Sequence, residues 1–439
     1  MRDEMTMETE LSRIMGYAKF SKEAKVRNVQ YLLGQEKNLV ECFEELKRGK
    51  AVGVDGIGLD EYGKNLMDNI RGLISRMKSW SYRPQPVKRV YIPKANGTKR
   101  PLGIPATEDK IVQLGMTKIL EASFEPVFEE CSFGFRKGRS CHQALRTLGD
   151  MIFQNPVQWV VEVDIEKFFD NVNHEWMMKF IEHRIEDRNF SRMLKRFLRS
   201  GVIENGQYTE TTVGTPQGGN ISPVLANVYL HYALDLWFER VMKKDCRGYV
   251  GMVRYADDFV ICVEREEDAR KIMERLKERL AKFGLKVSSE KTRVIPFGRG
   301  TGSKETFNFL GFTHYNARAR RGGYKIGRKT ERTRFAKALT NLNQWFKDVR
   351  NACSIDEWWK ILLMKVQGHL RYYGVSENYR GLVRFLHAVQ RMLRKWMNRR
   401  SQRKTMSWGK MAQYLVRHPL PIPRIYHDFY KPCMCKAVL

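Results

Sequence analysis

Two runs of β-forming residues, Tyr249 to Arg254 and Phe259 to Val263, are separated by only Tyr255-Ala256-Asp257-Asp258. So short a connection predicts a hairpin with both acids at its tip. A β-branched apolar run, Val157 to Val163, ends at a third acid, Asp164, and Asn173 before Glu175 and Trp176 reads as the N-cap of a helix. From Glu266 to Phe283, Ile272, Leu276 and Leu280 recur four apart, with acids in the first turn and Gly284 as a stop, which predicts an amphipathic helix. Strand, helix, acidic hairpin and helix in that order constrain this part of the chain to an α+β sheet with helices on one face.

Asp164 and Asp257 are 93 residues apart, and adjacent strands of one sheet would bring them together. Carboxylates held close raise one another's pKa unless a hard cation neutralises them, and Mg²⁺ takes one or two carboxylates plus phosphate oxygens. Two such ions about 4 Å apart activate a 3′-hydroxyl and stabilise a leaving pyrophosphate. An isolated Asp-Asp pair is more often a polar turn, so the surrounding sequence has to decide.

Composition narrows the partners. The 439 residues carry a formal charge of +30, which points to a polyanion, nucleic acid before an anionic membrane. Residues 301–439 hold 29 Lys and Arg against 7 Asp and Glu, so most of the excess lies there. A mean hydropathy of -0.51 and the lack of an 18-residue apolar run argue against membrane spanning. The N-terminus has neither signal nor transit pattern, and eight cysteines without a Cys-x-x-Cys pair suit a reducing, cytoplasmic compartment. Cys433 and Cys435 lack the further ligands a zinc site needs. The Gly- and Arg-rich stretch Ala317 to Arg328 interrupts the patterning and marks a boundary between Phe312 and Thr330, beyond which the pattern is mostly helical.

Val253-Arg254-Tyr255-Ala256-Asp257-Asp258-Phe259 resembles the catalytic hairpin of reverse transcriptases, specifically of group II intron-encoded proteins. Further blocks follow that family in order: Ala51 to Gly56, Val90 to Pro105, Ser132 to Leu145, Val161 to His174, Gly214 to Leu230, Glu290-Lys291-Thr292 and Phe309 to Phe312. Lys137 departs from the Pro common in the FGFR-x-GRS block. The resemblance implies a right-hand polymerase with fingers and a ferredoxin-like palm sheet over 41–312, preceded by an extension over 1–40. An α-helical thumb or maturase domain over 313–424 and a short tail over 425–439 would follow.

By matching positions, Asp164, Asp257 and Asp258 are the implied catalytic acids. Asp164, Asp257 and the Ile165 carbonyl would hold magnesium, two ions in all, with dNTPs as substrates. Lys94 and Arg100 flank an Asn96-Gly97 turn, so they would project from the arms of a hairpin toward a triphosphate, although a merely basic, solvated hairpin has the same pattern. Phe169 is implied as the ring that rejects a ribose 2′-hydroxyl, while Phe168 reads as core. Gln217 and Lys291 match nucleotide-contacting positions. Ser222 and Pro223 read as the N-cap and first turn of a helix running toward Lys243. Arg136 and Arg139 are implied at the template, and Phe309, Leu310 and Gly311 at the primer end.

Beyond Trp358 aromatic and basic residues recur together, with Leu382, Phe385, Leu386, Val389, Met392, Leu393 and Trp396 at helical spacing. The outer face would carry Arg371, Arg394, Lys395, Arg399, Arg400 and Arg403 toward intron RNA. The strings from Gly368 to Val375 and Trp396 to Arg403 resemble the maturase domain, which binds the parent group II intron RNA and promotes splicing. The tail leaves no room for an HNH endonuclease, so target DNA offering a 3′ end, as at a replication fork in the nucleoid, is expected to prime synthesis on an RNA template. Two alternatives stay open: a splicing-only maturase, and a reverse transcriptase recruited for host defence or repair.

Overall fold

The computed structural model describes residues 7–20, 23–93, 99–215, 218–320, 322–400 and 406–431. Lys94, Gln217, Arg403, Cys433 and Cys435 lie outside them. The described chain forms two compact units. One runs up to Ala144 and resumes over Val161–Val294; the other joins Leu145–Val160 to Ile295–Leu439.

The first unit is built on a four-stranded sheet. In chain order its strands are Trp159–Asp164, Val250–Tyr255, Asp258–Val263 and Arg293–Pro296, and in space the last lies beside the first, followed by the third and the second. With helix His174–Arg184 after the first strand and helix Glu266–Lys282 after the third, the path is a split β-α-β-β-α-β motif. Asn173 caps the first helix by accepting the Trp176 amide at 3.0 Å, as its sequence position predicts. Gly284, at φ 72°, follows the second, in a backbone region open to glycine.

A second sheet in this unit has the order Lys99–Ile104, Val87–Pro93, Val202–Glu204, Gln207–Thr209. Helix Thr107–Phe124 is buried on nearly every side, packed by Met7–Phe20 and Glu36–Glu45, and its buried positions include the polar Asp109, Gln113 and Thr117. Ser222 is not an N-cap. Ile221 takes that position and Ser222 is buried in the first turn of helix Ser222–Leu230. The helical path continues to Asp245 through two π-helical stretches, His231–Asp235 and Phe238–Met242.

The second unit holds helices Arg332–Val349, Ile355–Tyr373, Tyr379–Met397 and Trp408–Arg417 around a core that includes Phe346, Trp358, Leu362, Leu370, Phe385 and Trp396. It also holds an antiparallel sheet of Thr306–Phe309, Phe312–Arg318 and Tyr324–Thr330. The stretch read as an interruption is therefore largely strand, with Phe312 paired to Thr330 and Arg318 to Tyr324. Its alternation was masked because two inward positions are polar: His314 and Arg328 are both buried. Arg328 lies over the Phe429 ring at 4.8 Å, and burial pushes its pKa down to about 10.

Candidate active site

The acidic hairpin closes on the pair Tyr255 and Asp258, leaving Ala256 and Asp257 as a two-residue loop. Ala256 adopts φ 58°, a left-handed conformation that costs a non-glycine residue free energy unless its surroundings hold it. Arg254 supplies that hold. Fully buried, it donates to the Ala256 carbonyl at 2.9 Å, to Asn227 Oδ1 at 3.2 Å and to Ser132 Oγ at 2.7 Å. Its charge is met by Asp235, also fully buried, at 2.5 Å. Asp235 ends the first π-helical stretch, a feature often found at functional sites.

The segment before Arg136 locks against the same turn. The Phe133 amide donates to the Arg254 carbonyl at 2.8 Å, and the Arg254 amide to the Cys131 carbonyl at 2.7 Å. Gly134 approaches so closely that a Cβ there would lie 2.4 Å from the Ala256 nitrogen. None of this support was read from the sequence. The available signal was a charged residue, Arg254, inside an otherwise apolar strand.

Asp164 ends the strand that hydrogen-bonds beside Asp258–Val263. Its carboxylate accepts from Lys291 Nζ at 3.0 Å and is half-buried. Burial raises the pKa of Asp257, and the charge of Asp164 raises it further; its own amide, Arg100 and Arg254 act in the opposite direction. Asp164, Asp257, Arg100 and Lys291 thus share one electrostatic neighbourhood. Asp258, half-buried at the start of its strand, does not complete a trio: among the described residues no three His, Cys, Asp or Glu side chains gather as a cation site. Ile165 bridges Val287, but the hydrogen bonds of that bridge use the Asp164 carbonyl and the Glu166 amide. The Ile165 carbonyl is not spent on it.

Arg100 lies in strand Lys99–Ile104, opposite Ile92. Phe169 sits in the turn Phe168–Asp170, nearly buried, with its ring edge-on to Phe168 at 5.3 Å. The chain on either side of 216–217 is anchored to both elements. The Thr215 amide donates to the Phe169 carbonyl at 2.8 Å, and a Cβ on Gly214 would lie 2.9 Å from the Asp170 oxygen. On the other side, a Cβ on Gly218 would lie 2.8 Å from the Gly103 oxygen.

Other candidates have structural employment. Arg136 is buried, pairs with Glu125 at 2.8 Å and donates to the carbonyls of Glu129 and Ser132, so its charge is not displayed to a template. Arg139 pairs with Glu130 and lies over the Phe133 ring at 5.1 Å. In the second unit Phe309 is core, Leu310 and Gly311 form a left-handed turn, and the Leu310 carbonyl accepts from Tyr372 at 3.0 Å. Arg394 donates to the Met406 carbonyl and lies over Trp408 at 4.6 Å, Arg400 donates to the Cys353 carbonyl, and Lys395 and Arg399 lie over Trp396. Arg371 is exposed.

The reverse transcriptase (RNA-dependent DNA polymerase) family profile matches residues 92–314, the span containing these carboxylates and cations. The chain belongs to that family. It is 34% identical over 359 residues to group II intron-encoded protein LtrA of Lactococcus lactis subsp. cremoris, covering 69% of this chain and 58% of that protein. It is 32% identical to protein YkfC of Escherichia coli (strain K12), covering 62% of this chain and 78% of that protein. A shorter match, 30% identical over 135 residues, is to nuclear intron maturase 4, mitochondrial, of Arabidopsis thaliana. The chain thus spans 58% of the length of its LtrA relative, and the group II intron resemblance carried by its motifs agrees with these relatives. No described helix is long and apolar enough to cross a membrane.

Proposed function

We propose that this chain is an RNA-directed DNA polymerase that also binds its parent group II intron RNA as a maturase. The observation that carries the reading is that Asp164 and Asp257 meet from neighbouring strands, close enough for the charge of Asp164 to raise the pKa of Asp257, with Lys291 donating to Asp164 and the charge of Arg100 favouring the ionised form of Asp257. In this reading the first unit supplies fingers and palm, and the second supplies the thumb and RNA-binding helices.

Two carboxylates and a backbone carbonyl form an all-oxygen donor set that suits Mg²⁺ and leaves room for phosphate oxygens. Asp164, Asp257 and the Ile165 carbonyl would hold it. Bound magnesium would favour loss of the primer 3′-hydroxyl proton and screen charge on the departing pyrophosphate. Arg100, with Lys94, neutralises the triphosphate; Lys291, donating to Asp164, orients it; the Phe169 ring faces the sugar and disfavours a 2′-hydroxyl. Gln217 contacts the incoming nucleotide. The maturase half uses Arg371, Arg399 and their neighbours; a guanidinium lying over a ring, as that of Arg399 does over Trp396, keeps in-plane N–H donors for phosphates.

Primer extension on an RNA template with Mg²⁺ and dNTPs tests the polymerase. Asp257→Ala should abolish it while far-UV circular dichroism stays unchanged, and undiminished extension would end the assignment. Splicing of RNA transcribed from the chain's own locus tests the maturase separately, because it should survive Asp257→Ala.

A further inference from the structure

The second sheet of the first unit has Arg100 on one edge strand and Tyr208 on the opposite edge. Beside Tyr208 lies a cleft of about 590 Å³ lined by Arg83, Arg192, Lys195, Arg196 and Arg199, with no acidic residue in its wall. That volume is within the roughly 300–1,000 Å³ of ordinary ligand clefts. Helix Arg188–Leu198 presents three of these cations because its opposite face, including Phe190, Leu194 and Phe197, is buried.

Three of these cations, Arg83, Arg192 and Arg196, are held in place without being neutralised. Arg192 and Arg196 lie over the ring of Trp80 at 4.5 and 5.0 Å. Arg196 donates to the carbonyls of Tyr82 and Trp80, and Arg83 donates to the same two carbonyls. Among the described residues none of the five is paired with a carboxylate. Burial and then the charges of Arg83 and Arg192 lower the pKa of Arg196, the sign of cations held together against repulsion. At the rim the Tyr208 ring is seated on Gly201, where a Cβ would lie 2.3 Å from it, yet the residue is 57% exposed. A supported ring with an open surface, beside preset cations, is what a strand with unpaired bases requires.

We infer that this cleft binds a single-stranded segment of RNA outside the polymerising centre, its phosphates on the cations and one base on Tyr208. The choice of RNA rests on the RNA-directed function proposed above. A duplex does not fit the same chemistry, because its bases are stacked on each other and unavailable to Tyr208.

The test uses the full chain and a labelled oligouridylate titrated over a range of salt. The variant Arg192→Ala/Lys195→Ala/Arg199→Ala, which leaves the hydrogen-bonded Arg83 and Arg196 in place, should give a log–log salt slope shallower by about 2, from about 0.7 per lost contact. Tyr208→Ala should weaken binding about fivefold or more. Arg192→Lys/Arg199→Lys should keep the slope. One-nucleotide extension of a short hybrid should be unchanged in every variant, and that assay reports on the polymerase reading by itself. Unchanged slope and affinity would overturn the inference. So would a parallel fall in hybrid extension, or duplex RNA binding that depends on Tyr208 as strongly as oligouridylate binding does.

Discussion

Asp257 meets two penalties, little water and the charge of Asp164, so its proton is held to a higher pH than an ordinary Asp would hold it. The ionised form that the proposed cation would need is therefore lost as pH falls through that raised value. In metal-free protein Asp164→Asn should lower the Asp257 pKa and Arg100→Ala should raise it, read by carboxyl-carbon NMR titration; a titration indifferent to Asp164 would break the proposed pairing. Arg254 and Asp235 act as a unit. Arg254→Met or Asp235→Leu alone should cost about 3–5 kcal/mol by leaving a buried charge unmatched, and the double variant should cost less than either, as urea denaturation would show. The acids were legible because each ends or interrupts a β-forming run. Arg254 was not, since an arginine in a strand reads as facing water and nothing local names its partner 19 residues upstream.

At the level of elements, the acidic hairpin depends on glycine more than on its own turn residues. Gly134→Ala would drive a methyl into the Ala256 backbone, so it should depress extension strongly while leaving secondary structure intact; an active variant would show that the two segments part freely. Helix Thr107–Phe124 carries a second test. Asp109 in its first turn accepts from Tyr82 and from the Gln85 amide at 2.8 Å, and burial pushes its pKa up to about 7. The native state then binds more protons than the unfolded chain between about pH 4 and 7, so stability falls as pH rises through that window. Asp109→Asn should flatten this slope in urea midpoints. The helix after Asn173, by its cap, and the helix before Gly284, by its apolar spacing and its stop, could be read directly. The Phe312–Thr330 hairpin could not, because buried His314 and Arg328 broke the alternation that identifies a half-buried strand.

For the whole molecule, the charge skew toward the C-terminal third was plain in composition, whereas the return of Leu145–Val160 to the second unit was invisible to it. Local pattern does not encode which distant segments share a core. Affinity for the RNA of its own locus should fall by about 0.7 to 0.9 log units per phosphate contact for each tenfold rise in salt. A flat salt response would remove the electrostatic basis for RNA binding.

The Arg254 anchor has one further consequence. Because Ala256 is pinned from behind, Asp257 has little freedom to swing aside and escape its neighbour. A divalent ion entering there should work as a rivet as well as a reagent, tightening a joint left under tension. Magnesium at a hundredfold excess over its dissociation constant should add about 2.7 kcal/mol to the resistance of the native form against heat, and Asp257→Asn should lose that gain.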